Sequence, residues 1–94
     1  MIRIYSIPDC PYCSEIKELL TNENIPFVDV NIYLPENQKE SDKLFEFTKT
    51  DQVPVLIVNK KILLPDVSFK TINDCFEIVK KLVNYPTSKE GWAS

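Results

Sequence analysis

The chain has no histidine, a single glycine and three cysteines in 94 residues. Without histidine it cannot run Ser/His or Cys/His catalysis or build a zinc site with an imidazole ligand. One glycine excludes the phosphate-binding loops of the GxGxxG and GxxxxGK type, which need several. An odd cysteine count does not make a disulfide framework, since a small secreted scaffold usually carries about four to eight. No apolar run approaches the roughly 20 residues that cross a bilayer. The opening residues, MIRIY, show neither a basic stretch nor a signal-peptide core. A cytoplasmic, reducing compartment and no membrane partner are therefore expected. A net charge of −3 and a pI of about 4.9 argue against a nucleic-acid-binding surface. What is present, 44 % apolar and 27 % charged residues, suits one small globular domain. The seven prolines are spread along the chain, so no segment is a low-complexity linker.

Residues 2–7 are short, β-branched and apolar, and they stop at Pro8, which predicts a strand. Pro11 opens a helix, where its missing N–H costs nothing. Tyr12, Ile16, Leu19 and Leu20 mark one face of it, and residues 22–24 end it. Residues 27–32 predict a second strand after Pro26. Residues 35–50, rich in Glu and Lys with Leu44, Phe45 and Phe47, predict a more exposed helix. Residues 53–58 predict a third strand and residues 62–64 its hairpin partner across the polar residues 59–61. A last helix, capped by Asp66 or Ser68, carries Ile72, Cys75, Phe76, Val79, Leu82 and Val83 on its apolar face. The order β-α-β-α-β-β-α predicts an α/β fold. A right-handed crossover makes the first two strands parallel, and the hairpin makes the last two antiparallel. The expected result is a mixed four-stranded sheet flanked by three helices, spanning residues 1–84. Residues 85–94 lack periodicity and are expected to form a flexible tail.

Cys10-Pro11-Tyr12-Cys13 is the strongest signal. It lies where a strand hands over to a helix. There the unpaired N–H groups and the positive end of the helix dipole favour a thiolate. Such a position brings a cysteine pKa down from about 8.5 into a range of roughly 3.5–7.5. Cys10 is then an exposed nucleophile. Cys13, one turn on and on the same side, attacks the mixed disulfide formed on Cys10 and releases the product. Asp9, beside Cys10, opposes the thiolate by its charge. The plain alternatives are half of a zinc or iron–sulfur site, whose other half is missing because Cys75 stands alone, or two unreactive buried thiols. Cys75 lies between Ile72 and Val79, so it reads as a small core residue rather than a regulatory thiol.

With this motif after an Ile-Tyr-Ser strand, the chain resembles the dithiol glutaredoxins of the thioredoxin superfamily. The Val53-Pro54 dipeptide is similar to that family's Thr-Val-Pro element, and the resemblance covers residues 2–83. It implies a thioredoxin-like fold and a glutathione-dependent thiol–disulfide oxidoreductase. No cofactor is held tightly, no metal is bound, and glutathione is the reducing co-substrate. It further implies that Pro54 is a cis-proline packed opposite the cysteines. The Val53 backbone would pair with an extended thiol peptide, Tyr12 would line the groove, and Asp66 would receive the γ-glutamyl ammonium. Clients of the family include ribonucleotide reductase and glutathionylated proteins, and the expected state is a monomer. For Pro54 the alternative is an ordinary edge-strand proline; for Asp66 it is a plain helix cap.

The sequence departs from the family where glutathione's glycine carboxylate is held. Ile7 stands where the family usually keeps a lysine, three residues before the first cysteine. Asp51 stands where it often keeps a basic residue, two before the Val-Pro pair. A charge-assisted contact to a carboxylate is worth about 1.5–3 kcal/mol, so both losses matter. Lys49 or Lys43 is the available substitute. Leu63 and Leu64 stand in place of a Gly-Gly pair, either as an apolar patch for a protein substrate or as part of an ordinary hairpin. These departures leave open a glutaredoxin-like electron donor recharged by thioredoxin reductase. Two functions of other classes also remain: an iron–sulfur carrier sharing a cluster between two chains, and a non-catalytic interaction domain on the same fold.

Overall fold

The computed structural model describes residues 2–92, with side chains described for residues 2–83. The expected tail over 85–94 lies outside the described side chains and, in its last two residues, outside the described backbone.

The strands are β1 (Ile2–Ser6), β2 (Val28–Asn31), β3 (Val55–Val58) and β4 (Lys61–Leu63), and the helices are α1 (Pro11–Asn22), α2 (Gln38–Thr48) and α3 (Ile72–Trp92). They form one mixed sheet in the order β2-β1-β3-β4. β1 pairs with β2 in parallel and with β3 antiparallel, and β3 pairs with β4 antiparallel. The fold class read from the sequence is the fold observed.

Alternation along the strands separates two cores. Ile2 and Ile4 of β1, Leu56 and Val58 of β3 and Leu63 of β4 meet Ile16 and Leu20 of α1 and Ile72, Cys75 and Val79 of α3. Tyr5, Val55 and Val30 point the other way and meet Leu44 of α2.

β1 and β2 are a residue shorter at their ends than expected, and the α3 backbone runs on to Trp92, past the expected end at residue 84. Four further differences have a local reason. β3 begins two residues late, at Val55, because Pro54 has no N–H for the ladder. The β3–β4 turn needs two residues, not three. Asn59 and Lys60 both take positive φ, 50° and 76°, as a tight hairpin turn with the strands' twist requires, so β4 starts at Lys61. Residues 35–50 divide into a 3₁₀ turn (Pro35–Asn37) followed by α2, which Lys49 ends in the left-handed region at φ 62°. Neither Asp66 nor Ser68 caps the last helix. Asp66, at φ 63°, donates its N–H to the Phe69 carbonyl at 2.8 Å. Ser68 Oγ accepts the Leu64 N–H at 3.0 Å. The cap is Thr71, whose Oγ1 accepts the Asp74 N–H at 3.1 Å.

Candidate active site

The strand–helix junction is built by a turn over Pro8 and Asp9. Asp9 holds a left-handed conformation, φ 61°, which its short polar side chain tolerates better than most. That turn delivers Cys10 as the N-cap of α1, with Pro11 at the first helical position. Its Sγ accepts the backbone N–H of Cys13 at 3.2 Å. The sulfur thus takes the role a serine or aspartate oxygen usually plays at a helix start, satisfying an N–H that has no partner within the helix.

Cys10 is not the open thiol the sequence suggested. It is 8 % exposed, against 1 % for Cys13 and 0 % for Cys75. The cap geometry explains the difference, because accepting the Cys13 N–H turns the sulfur back over the first helical turn. It is still the most accessible of the three, and all three are free thiols. Burial, and then the hydrogen bond to Cys10, push the Cys13 thiol well above its ordinary value. Burial alone pushes Cys75 up to about 12. Cys75 packs in the larger core, as expected of a small apolar residue.

Beside the motif opens a cavity of about 600 Å³. Tyr12, 62 % exposed, and Glu15 line it from α1. Gln52, Val53 and Pro54 line it from the approach to β3, and Pro65, Asp66, Phe69 and Lys70 from the segment before α3. The Val53-Pro54 bond is cis. Tyr12, Val53, Pro54 and Asp66, the groove residues the resemblance implies, therefore share one cavity; neither Cys10 nor Cys13 lines it, and it adjoins their motif through Tyr12.

Other expectations are not met. Neither Lys43 nor Lys49 is among the lining residues; the basic side chain in the wall is Lys70. The chain brings it there through the loop between β4 and α3, where no periodicity signals a direction. Glu15 was legible in principle, three positions after Tyr12 on the same helical face. Of the leucine pair, Leu63 is buried in the larger core and Leu64 packs against the smaller one, so the pair is a hairpin packed inward rather than a presented patch. No group of three or more His, Cys, Asp or Glu side chains is placed to hold a metal among the described residues. No described helix is long and apolar enough to cross a membrane.

The glutaredoxin family model matches residues 2–63. A glutaredoxin-like 8.6 kDa protein of the rubredoxin operon in Clostridium pasteurianum is 41 % identical over 64 residues, 68 % of this chain and 83 % of that protein. Among solved structures, a buckwheat glutaredoxin–glutathione complex superposes with a TM-score of 0.67 at 19 % identity, over 93 % of this chain and 76 % of that one. The glutaredoxin-like NrdH-redoxin of Escherichia coli, described as having a thioredoxin-like activity profile, superposes with a TM-score of 0.57 at 21 % identity, over 86 % and 92 %.

Proposed function

This chain belongs to the glutaredoxin family, and from that premise we propose that it is a dithiol thiol–disulfide oxidoreductase reducing protein disulfides or mixed disulfides, with glutathione as the reducing co-substrate. The observation that carries the reading is the cap: Cys10 Sγ accepts the first-turn N–H of Cys13, which sets one sulfur at the N-terminus of α1 and the second one turn on, as a dithiol mechanism needs.

In the forward step Cys10 thiolate attacks one sulfur of the substrate disulfide. The substrate S–S bond breaks, a bond to Cys10 forms, and the first substrate thiolate leaves and takes a proton. Cys13 then gives up its proton and attacks Cys10 Sγ. The Cys10–Cys13 disulfide forms, the second substrate thiol leaves, and two electrons have passed to the substrate. Two glutathione thiols reverse the oxidation: the first attacks the protein disulfide, and the second releases glutathione disulfide. Burial and its bond to Cys10 keep Cys13 as a thiol, so it does not compete for the substrate in the first step. The walls at Tyr12, Val53 and Pro54 receive the thiol partner, and Asp66 receives an ammonium group. Ribonucleotide reductase and glutathionylated proteins are the client classes this reading carries.

A second electron source is favoured by one feature. The cavity wall has two carboxylates, Glu15 and Asp66, to one ammonium, Lys70, and Ile7 and Asp51 stand at positions where the family keeps basic groups. Such a wall holds the dianionic glutathione disulfide less well. Recharging by thioredoxin reductase is therefore the alternative, in line with the activity profile described for the Escherichia coli relative.

NADPH consumption with a disulfide substrate tests both. The expected result is turnover with glutathione plus its reductase, and a loss of at least about a thousandfold in Cys10→Ser. Full activity in Cys10→Ser would remove the enzymatic reading. Turnover with thioredoxin reductase alone would replace glutathione as the donor.

A further inference from the structure

Tyr12 and Glu15 are three positions apart on α1, on one face of the helix, and both line the cavity. Both are exposed. No hydrogen bond or ion pair holds the Glu15 carboxylate among the described residues, where the ion pairs are Arg3–Glu40, Lys17–Asp29 and Lys80–Glu77. An aromatic ring and an unpaired carboxylate thus stand one helical turn apart beside the cysteine motif. The charge around them has the sign of Glu15. Asp66 lines the same cavity. Asp51 and Asp74 adjoin the lining residues Gln52 and Asn73 in the chain, Asp9 precedes Cys10, and all of them are exposed. None of these carboxylates is in an ion pair among the described residues. Against them the wall sets Lys70, whose described contact is a hydrogen bond of 3.4 Å to the carbonyl oxygen of Asp66.

We propose that the Tyr12–Glu15 face of α1 is a docking surface for a basic segment of a protein substrate: an arginine or lysine next to the disulfide cysteine lays its stem over the Tyr12 ring and sets its charged head against the Glu15 carboxylate. This rests on the reading of Cys10 and Cys13 as the redox pair and names the class of protein disulfide that pair serves. The two groups suit one side chain. A cation gains from the ring's electron-rich face, its hydrocarbon stem covers apolar ring surface, and its head meets the carboxylate one turn on. Because both groups are exposed, each gain is modest and screened by salt. The surrounding carboxylates add a field of one sign, which speeds the encounter with a basic segment and slows that with an acidic one. These contacts are complete before the sulfurs exchange, so they act on association and leave the exchange alone.

The test follows a single turnover of the reduced protein by the thiol it releases, so that the electron source does not enter. Three disulfide peptides are identical except for an arginine, a glutamine or a glutamate beside the disulfide cysteine, and a small uncharged disulfide is the reference. Each rate is divided by that of the same peptide with an uncharged dithiol, which removes the effect of the charge on the disulfide's own reactivity. At low salt the second-order rate constant is expected to be roughly three- to tenfold higher for the arginine peptide than for the glutamine peptide, and lowest for the glutamate peptide. The spread narrows as salt is added. In Glu15→Gln the arginine preference falls to about twofold or less. Glu18→Gln, which removes the same charge from α1 outside the cavity, keeps it. A Glu15→Gln protein with the full preference would overturn the inference, as would a Glu18→Gln protein that loses it equally, since net charge alone would then account for it. A wild-type protein that reduces the reference but treats the arginine and glutamine peptides alike overturns only this inference. One that reduces none of the four disulfides overturns the redox reading, and this inference with it.

Discussion

The two faces of the sheet are built from different materials. The face under α1 and α3 is hydrocarbon and thiol: Ile2, Ile4, Leu56, Val58 and Leu63 against Ile16, Leu20, Ile72, Cys75 and Val79. The face under α2 has four buried members, Tyr5, Val30, Leu44 and Val55. A polar clamp holds its edge. Tyr5 Oη donates to Glu40 Oε2 at 2.5 Å, Arg3 Nε donates to the same oxygen at 3.1 Å, and Arg3 Nη2 also reaches it. The proposed redox pair stands on the first face. Cys10 is the cap of α1, and α1 is fixed from below by Ile16 and Leu20 and from the side by Lys17. Lys17 Nζ meets Asp29 Oδ2 at 3.0 Å, and Ser6 Oγ donates to the other oxygen of Asp29 at 2.7 Å. No described residue of α2 lines the cavity. The sulfur to which we assign the attack is thus carried by the element with the larger, drier anchor.

The sharpest way to break that comparison is to remove the same side chain from each face. Leu56→Ala, fully buried in the larger cluster, is expected to cost roughly 2–5 kcal/mol. Leu44→Ala, 8 % exposed and in the smaller cluster, is expected to fall at or below the bottom of that range, about 2 kcal/mol. Urea unfolding of the two variants gives the answer, and equal losses would mean that the two cores anchor the fold alike.

This asymmetry was only partly visible in the sequence. The larger core was legible because its helices repeat at helical spacing: Ile16, Leu19 and Leu20 in α1, and Ile72, Cys75, Val79 and Leu82 in α3. The cysteine pair was legible because Pro11 marks a helix start immediately after a strand. The clamp was not. Arg3 and Tyr5 alternate with Ile2 and Ile4, which shows only that they face away from the first core. Nothing local shows that Glu40, 37 residues from Arg3, comes back to meet them. Lys70 was missed for the same reason, since a loop without period carries no direction. The misplaced cap of α3 has another cause. Asp66, Ser68 and Thr71 are all cap-forming types within six residues, and the loop's own short-range hydrogen bonds, Asp66 N–H to the Phe69 carbonyl and Leu64 N–H to Ser68 Oγ, leave the cap to Thr71.

A smaller effect sharpens the picture of the drier face. Cys75→Ser puts a hydroxyl where the thiol has no polar neighbour pulling on it; burial is the one cause of its raised pKa. The expected cost is roughly 1–3 kcal/mol, that of an unsatisfied buried polar group. The wild-type thiol also predicts an alkaline limit. The native state holds this proton more tightly than the unfolded chain, so the contribution is complete below pH 9.0, the ordinary value, and is lost as pH rises through about 12. Cys75→Ala removes that part of the slope in unfolding measured between those two values.

The smallest effect is expected at the clamp. Arg3 and Glu40 expose 37 % and 36 % of their side chains, so solvent screens them, and the pair belongs on the surface scale of about 0.2–1 kcal/mol. The Tyr5 hydrogen bond first, and then Arg3, hold the Glu40 carboxyl below its ordinary value. Its folded pKa being the lower one, Glu40 stabilises the fold above the unfolded value of 4.5 and stops doing so as pH falls through the folded one. Glu40→Gln keeps the shape and an acceptor for Tyr5 and removes the charge. It should therefore lose no more than about 1 kcal/mol at neutral pH and show a flatter stability profile on the acid side. The rate of disulfide reduction should not change, because the clamp secures a helix that contributes nothing described to the cavity. A matching fall in that rate would show that α2 and the cysteine pair are coupled through β1, and the separation of the two faces into chemistry and support would no longer hold.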